Sequence, residues 1–594
     1  MQSKRLICAF TSALAALATG VVFAQEPAQK APSTFKPGTY TATVTGHNAP
    51  LTVTVTLTKD RIESIDTSKN LETIGVGRVA LQLMTDKILN YQSLGVDAIT
   101  GATVSSSALY AGVKQCLEKA GADMAAMTKK VEQHPAGEAV KNADVVVVGG
   151  GGAGLAAAIA AHKAGARKVI VLEKLGFFGG STNVSEGALN AVDPARQSKQ
   201  GIEDSIEKFR TQTLKGGHDK GDPELVAYLT ENALGSVEWL ESLGVKFKDE
   251  IGTATGALWQ RSHYPATPSG NTYIRSFEEV IAKSGGAIEV LTDTSATDLI
   301  EAEGRIAGVK AKHFGQNLTL NAKDGVVIAT GGFGANVKLR QEVNTGVWKS
   351  VTLDNTIGCT NLQKAAQGDG LKLALDDIQL HPCGTPGTGL MENIRTSGRN
   401  RIFVNNAGDR FVNEGAARDV LAGAIFKQPE STYWVIVNKV RYPSRAWVDA
   451  NGATIRDMVA LGAVVEAPTL DELAQKTGMD PAKLKASVDG YNSVVEKKAK
   501  DPFGFVADNK ADTTLTEGPW YACKKVPTVH HTMGGIKINT NAQVVGTDGK
   551  VIPGLYAAGE VTGGIHGSNR LGGNAIADVM TFGRTAGTNV VKMK

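Results

Sequence analysis

Five segments concentrate residues able to handle a charged substrate. They are Gln379-Leu-His381-Pro382, Glu392-Asn-Ile-Arg395, Ala417-Arg418-Asp419, His530-His531-Thr-Met-Gly-Gly535, and the run from Gly559-Glu560 through His566 and Arg570 to Gly573-Asn574-Ala575. Arg570, His530 and His381 can hold a carboxylate, the arginine through a bidentate fork. Such a set suits reduction of a C=C bond beside a carboxylate. That reaction needs a hydride donor on one face, a proton donor on the other, and prepositioned cations for the charge that develops at the α-carbon. Singly, each residue is ordinary: a lone arginine is usually solvated or ion-paired, and a His-His pair often packs.

Something must carry the hydride and position these groups. Asp144-Val-Val-Val-Val148 is a continuous apolar run, as expected of a strand buried on both faces. It leads into Gly149-Gly-Gly151-Gly-Ala153-Gly154 and an apolar helix from Leu155 to Ala164, then a second strand, Lys168–Leu172, ending at Glu173. This is G-x-G-x-x-G in a βαβ unit, with an acid placed to take ribose hydroxyls. Gly179-Gly180-Ser181-Thr182-Asn183, the strand Gly325–Gly332 and Leu555-Tyr-Ala-Ala-Gly559-Glu560 favour FAD over NAD. Thr469-Leu-Asp-Glu472 reads as a capping box, and Asp480-Pro481 as a helix start.

Ahead of this lies a smaller module. Residues 36–65 alternate β-branched and polar types, the pattern of half-buried antiparallel strands, with helical patterns near 79–90 and 105–120. Between those patterns stands Asp97-Ala-Ile-Thr-Gly-Ala-Thr103, which on its own reads as a glycine turn and a hydroxyl cap for a helix from Ser106 to Cys116. Residues 121–140 read as a linker. The N-terminus has Lys4-Arg5, an apolar run to Phe23 and Ala24 before Gln25, as in a signal peptide cleaved after Ala24. Its removal takes Lys4 and Arg5 and lowers the net charge from +4 to +2, with no basic field for nucleic acid and no other stretch long enough to span a membrane. No C-x-x-C-H occurs, so no c-type haem is attached. Glycine is abundant, 68 of 594 residues, and much of it lies in these loops.

Two resemblances follow from these motifs. Asp97–Thr103 resembles the D-x-x-(S/T)-G-A-T motif of small FMN-binding domains in sodium-pumping NADH:quinone reductases and exported flavoprotein reductases. That resemblance implies FMN esterified to Thr103 by a flavin transferase. From about residue 141 onward the chain resembles flavocytochrome c fumarate reductases and their soluble relatives. The implied fold class is α/β: a Rossmann-like FAD-binding domain (141–376 and 529–594) with an inserted α+β capping domain (377–528), preceded by a small α+β FMN-binding domain (36–120). The implied FAD contacts are Gly149, Gly151, Ala153, Gly154, Glu173, Ser181, Thr182, Gly187, Asp369, His531, Glu560, Ala575 and Ile576. The resemblance implies a non-covalent FAD, because Ser181-Thr182 stands where succinate dehydrogenases carry a linking histidine. Hydride would pass from FAD to the β-carbon. Arg418 would deliver the proton, recharged through Arg395 and Glu392, and His381, Met391, His530, Arg570 and Gly573 would hold the substrate. Fumarate enzymes usually have threonine where Met391 stands, so acrylate-, methacrylate-, itaconate- or cinnamate-type acids are expected beside fumarate. Urocanate reductases share the layout but usually replace His381 by tyrosine. An L-aspartate-oxidase-like dehydrogenase is the less favoured alternative. Electrons are expected through FMN from an external cytochrome or quinol-linked donor, in the periplasm during anaerobic respiration.

Overall fold

The computed structural model describes residues 30–132, 134, 136–267, 269–334, 378–386, 394–448 and 453–593, with the side chains of Ile378 and His381 left out. The signal segment, Asp369, Met391 and Glu392 lie outside the described residues.

In the N-terminal module, β1 (Gly38–Thr45), β2 (Pro50–Leu57) and β3 (Ile62–Asp66) form one antiparallel sheet. The alternation divides the faces. Leu51, Val53, Val55 and Leu57 are buried, while Thr52, Thr54 and Thr56 point outward and meet the threonines of β1, as in Thr41–Thr54 at 3.2 Å. Helices α1 (Gly77–Tyr91) and α2 (Thr103–Lys119) supply Met84, Ile88, Leu109, Val113 and Leu117 to the same core. The start of α2 differs from the hydroxyl-capped helix expected from Ser106. Its cap is Ala102, with no side-chain bond, and Thr103 is its first residue. Ser106 instead receives the Ile99 N–H at 3.1 Å and donates to Ala102 O at 3.0 Å, tying the motif loop down from inside. Gly101, at φ +92°, provides the turn.

The second unit is built on β4 (Glu138–Val148), β5 (Val169–Leu172), β8 (Ile288–Leu291) and β11 (Gln316–Ile328). The helix α3 (Gly152–Lys163) connects β4 to β5. Two short strands, β6 (Leu189–Asn190) and β7 (Ser262–His263), pair off the main sheet. The hairpin β9 (Thr294–Ala302) and β10 (Arg305–His313) extends from β11. Val145, Val146 and Val147 are fully buried, as the apolar run requires. In the stretch read as a linker, Met124–Met127 forms a helical turn with Met127 buried, and β4 already begins at Glu138.

The inserted unit has β12 (Ile378–Gly384), β13 (Ile402–Val404), the helix α4 (Arg418–Phe426), β14 (Tyr433–Asn438), β15 (Val465–Ala467) and β16 (Trp520–Thr532). Its sheet order is β12-β16-β14-β13, with β15 on β16. Thr469 and Asp480 cap the helices Leu470–Thr477 and Pro481–Val495. Arg410, from the Asp409-Arg410-Phe411 segment, is internal to this unit, pairing with Glu414 at 2.8 Å and Asp501 at 2.6 Å. The 13-residue β16 runs uninterrupted out of this unit, so that His530-His531 arrive at the FAD-type sheet on a rigid strand. The chain returns through β17 (Gln543–Val545) and β18 (Val551–Ala557), giving the main order β17-β18-β11-β4-β5-β8, and ends in the helix α5 (Asn574–Lys592) against α3.

The N-terminal module is docked by the loop after Glu173. Leu175 and Phe177 belong in sequence to the dinucleotide fold but are buried in the core of the N-terminal module. Thr100 Oγ1 donates to Asp293 at 2.5 Å, and Asn183 donates to Gly75 O at 3.2 Å. His134 spans the joint, 3.0 Å from Asp97 and stacked on Phe314.

Candidate active site

A cavity of about 750 Å³ opens at the C-terminal ends of β4, β5 and β11. Gly149, Gly151, Ala153, Glu173, Ser181, Thr182 and Glu560 are among the residues that line it. Gly149 sits at φ +108°, and a Cβ there would lie 2.3 Å from Ala329 O, so only glycine fits. Gly151 caps α3, whose first-turn N–H groups and dipole face an anion placed in the loop. Gly154 lies one turn into the helix; a Cβ there would meet Gly149 O at 1.8 Å, so it serves close packing instead of lining the cavity.

Glu173 is buried, and each carboxylate oxygen takes one backbone N–H, from Gly150 and from Leu175, both at 2.9 Å. Lone pairs remain for two vicinal hydroxyls. The cradle, the helix terminus and this acid fit an FAD pyrophosphate and ribose. Burial pushes the Glu173 carboxyl up to about 7, against the lowering effect of those backbone N–H groups. The folded protein therefore holds this proton more tightly than the unfolded chain. Ionising Glu173 costs stability as pH rises from the ordinary carboxylate range to about 7, and no further above it. Ribose hydroxyls donating to the carboxylate favour the ionised form. FAD affinity of the apoprotein is thus expected to rise across the same window, by at most about tenfold per pH unit. Glu173→Gln should flatten that profile in an equilibrium titration; an unchanged slope would assign it to another group.

A second, smaller cavity of about 100 Å³ shares Ser181, Thr182 and Glu560 with the first. Arg418, His530, His531 and Arg570 line it, together with Gly187, Gly573, Ala575 and Ile576. Arg418 opens α4 and is 5% exposed. Its Nε donates to Thr255 O at 3.0 Å and its Nη1 to Gln379 Oε1 at 3.1 Å. The Gln379 amide donates to Asn569 Oδ1 at 2.7 Å and to Arg570 O at 2.8 Å. One buried glutamine therefore links the two arginines. His531 is buried with Nδ1 lacking a protein partner, and burial plus the nearby Arg570 charge holds its ring well below the ordinary histidine range, hence neutral. A buried orphan nitrogen lining the small cavity is suited to a flavin heteroatom. Thr532 donates its N–H at 3.0 Å to Glu560, which both cavities share.

Thus Arg418, His530, Arg570 and Gly573 and, Gly154 apart, the described flavin-side residues of the sequence reading converge on these two cavities. His381 is placed only by its backbone, on β12 opposite Thr528. Arg395 lies near the junction: its carbonyl accepts from Arg441 at 3.1 Å, and the next two residues reach the dinucleotide unit, with Thr396 3.5 Å from Thr255 and Ser397 3.2 Å from Glu186. Thr103 lies apart, exposed at the first turn of α2, where a phosphate ester would meet helix N–H groups. Nearby, the buried Glu72 accepts from Ser105 Oγ at 2.6 Å and His47 N at 2.8 Å. The sequence reading quoted Gln379 within a motif without giving it a role, and it passed over Thr255, Asn190 and Ser262. A polar residue inside an apolar strand was the only signal for Gln379.

Comparison with known proteins agrees with this arrangement. The FAD binding domain family matches residues 144–576 and the FMN-binding domain family residues 46–118. The chain is 36% identical to an NADH:acrylate oxidoreductase of Vibrio harveyi over 94% of its own length, spanning 62% of that protein. It is 35% identical to a urocanate reductase of Eggerthella lenta, over 93% of this chain and 92% of that one. The solved structure of an open flavocytochrome c3 fumarate reductase superposes with a TM-score of 0.59 at 35% identity, over 76% of this chain and 78% of the other. The chain belongs to the flavocytochrome c/fumarate reductase family of FAD proteins, joined here to an N-terminal FMN-binding domain.

Proposed function

We propose that the protein reduces the C=C bond of a small α,β-unsaturated carboxylate. The observation that carries this reading is Arg418, buried, held by Thr255 and Gln379, and facing the same cavity as Arg570 and His530. When bound, FAD supplies the hydride and FMN the port through which electrons arrive. The Arg570 guanidinium and His530 hold and polarise the substrate carboxylate. Arg418 hands a proton to the α-carbon. Arginine rarely gives up a proton, so the step needs immediate recharging, for which Arg395 and Glu392 are the residues we assign. The neutral His531 stays on the flavin side and does not compete as an acid.

In the same reading FMN is esterified to Thr103 by a flavin transferase and FAD is bound without a covalent link. The chain is exported to the periplasm with cleavage after Ala24. Its electrons come from a cytochrome or quinol-linked donor. The small cavity favours short acids, and Met391 favours those without a second carboxylate. Fumarate and urocanate are the comparison substrates.

The test is anaerobic oxidation of reduced methyl viologen by the purified protein with acrylate, methacrylate, fumarate, itaconate, cinnamate and urocanate in turn. Turnover with one or more, with the short monocarboxylates leading, is expected. A protein loaded with both flavins that oxidises viologen with none of them contradicts the reading.

A further inference from the structure

Behind the small cavity, one buried polar pair joins its two arginine-bearing walls. Asn190 and Ser262, on β6 and β7, are 1% and 0% exposed. The Ser262 hydroxyl donates to Asn190 Oδ1 at 2.6 Å. The Asn190 amide donates to Gly572 O at 2.7 Å and to Asn574 Oδ1 at 2.8 Å, and its backbone N–H to Gly573 O at 3.1 Å. These acceptors lie two to four residues after Arg570. On the other side, Ser262 Oγ accepts the Ala254 N–H at 3.1 Å, and the carbonyl of the next residue, Thr255, receives Arg418 Nε at 3.0 Å.

The fit leaves no slack. Gly573 is at φ +86°, and a Cβ there would stand 2.2 Å from Asn190 Oδ1; one on Gly572 would stand 2.1 Å from Thr255 O. Both amide protons and the amide oxygen of Asn190 are engaged, as are the donor and an acceptor site of Ser262. The orientation of the amide is therefore determined by its partners.

We infer that the Asn190–Ser262 pair is a positioning device for the reaction, setting the separation between the carboxylate-holding loop of Arg570 and the carbonyl that aims Arg418. The inference rests on the enoate-reductase reading. Asn190 acts on the Arg570 side and Ser262 on the Arg418 side, so the two residues have different kinetic signatures.

The test uses the full chain with both flavins bound. Asn190→Ala, Ser262→Ala and Ser262→Thr are compared with the parent in viologen-driven turnover, in solvent deuterium isotope effect, and in titration of oxidised flavin absorbance with propionate. Asn190→Ala should weaken propionate binding by about tenfold, as expected for losing a buried hydrogen-bonding group. Ser262→Ala should weaken propionate binding less than Asn190→Ala does, lower kcat by about 10- to 100-fold and raise the isotope effect, because a proton donor displaced by a fraction of an ångström slows proton delivery. Ser262→Thr, which keeps the hydroxyl, should recover most of kcat. Flavin-loaded variants with lower melting temperatures but parental kcat, KM and isotope effect would overturn the inference and leave only a structural role. If Asn190→Ala fails to retain FAD, the two Ser262 variants decide. If the parent reduces no acid, the function reading fails, while propionate titration of Asn190→Ala still decides whether the pair orders the Arg570 loop.

Discussion

Arg418→Lys is expected to abolish enoate reduction, by about 1,000-fold or more, the scale of a lost general acid, while FAD remains bound. The side chain is 5% exposed, and its two bonds diverge, Nε to Thr255 O and Nη1 to Gln379 Oε1. A planar fork can satisfy both of these divergent acceptors; a lysine ammonium on its flexible stem cannot. The charge is kept, so loss of activity cannot be assigned to loss of electrostatic attraction for the carboxylate. Leaving Gln379 Oε1 or Thr255 O unpaired costs about 1–3 kcal/mol, which a domain of this size tolerates. Flavin absorbance, melting temperature and kcat on one preparation check all three points. Turnover within tenfold of the parent would remove Arg418 from the proton path.

Thr103→Ala is expected to remove all flavin that survives denaturation and to abolish turnover driven by the physiological donor. Viologen, which is small enough to reach FAD directly, should still support turnover within a few-fold. The large effect does not come from misfolding. Thr103 is exposed and is the first residue of the 17-residue α2, where alanine is a good helix former, and surface changes of this kind stay within about 0.5 kcal/mol. The measurement is flavin fluorescence of the denatured chain after expression with a flavin transferase. Fluorescence retained by the variant would place the attachment elsewhere; its absence from the parent would remove the covalent link.

Much of the catalytic architecture was legible because its signals are local. The valine run of β4, the glycine loop and Glu173 lie within 30 residues, and each constrains the next through turn geometry and helix packing. Arg418, His530 and Arg570 stood out as charged groups in glycine-flanked segments. What stayed hidden depends on distant partners. Asn190 bonds residues more than 380 positions away, and Gln379 reaches Arg570 across 191. No periodicity reports a hydrogen bond of that span. Leu175 and Phe177 lie in sequence between Glu173 and Gly179, and nothing local to them marks a partner. Only the packed structure shows them in the core of the N-terminal module. The sequence pattern starts α2 at Ser106, three residues later than the structure does, because the hydroxyls ahead of Ser106 look like caps. A hydroxyl can bond a backbone carbonyl from within the first turn as readily as it can cap one.

The docking packs the two flavin-type modules of the chain against each other. The loop that begins at Glu173 inserts into the N-terminal core, and Thr100 of the Asp97–Thr103 motif bonds Asp293, two residues beyond β8. Each buried apolar side chain of this plug contributes roughly 1.5–3 kcal/mol, so the joint is held more firmly than a surface ion pair would hold it.

The central claim is tested most directly by a single turnover. The protein is reduced anaerobically and mixed with a stoichiometric amount of the best acid from the viologen panel, with flavin absorbance and the products followed together. The account predicts that the flavin reoxidises and the saturated acid appears in step with it. A flavin that stays reduced with every unsaturated acid, and is reoxidised only by oxygen while a saturated acid is consumed, would contradict it.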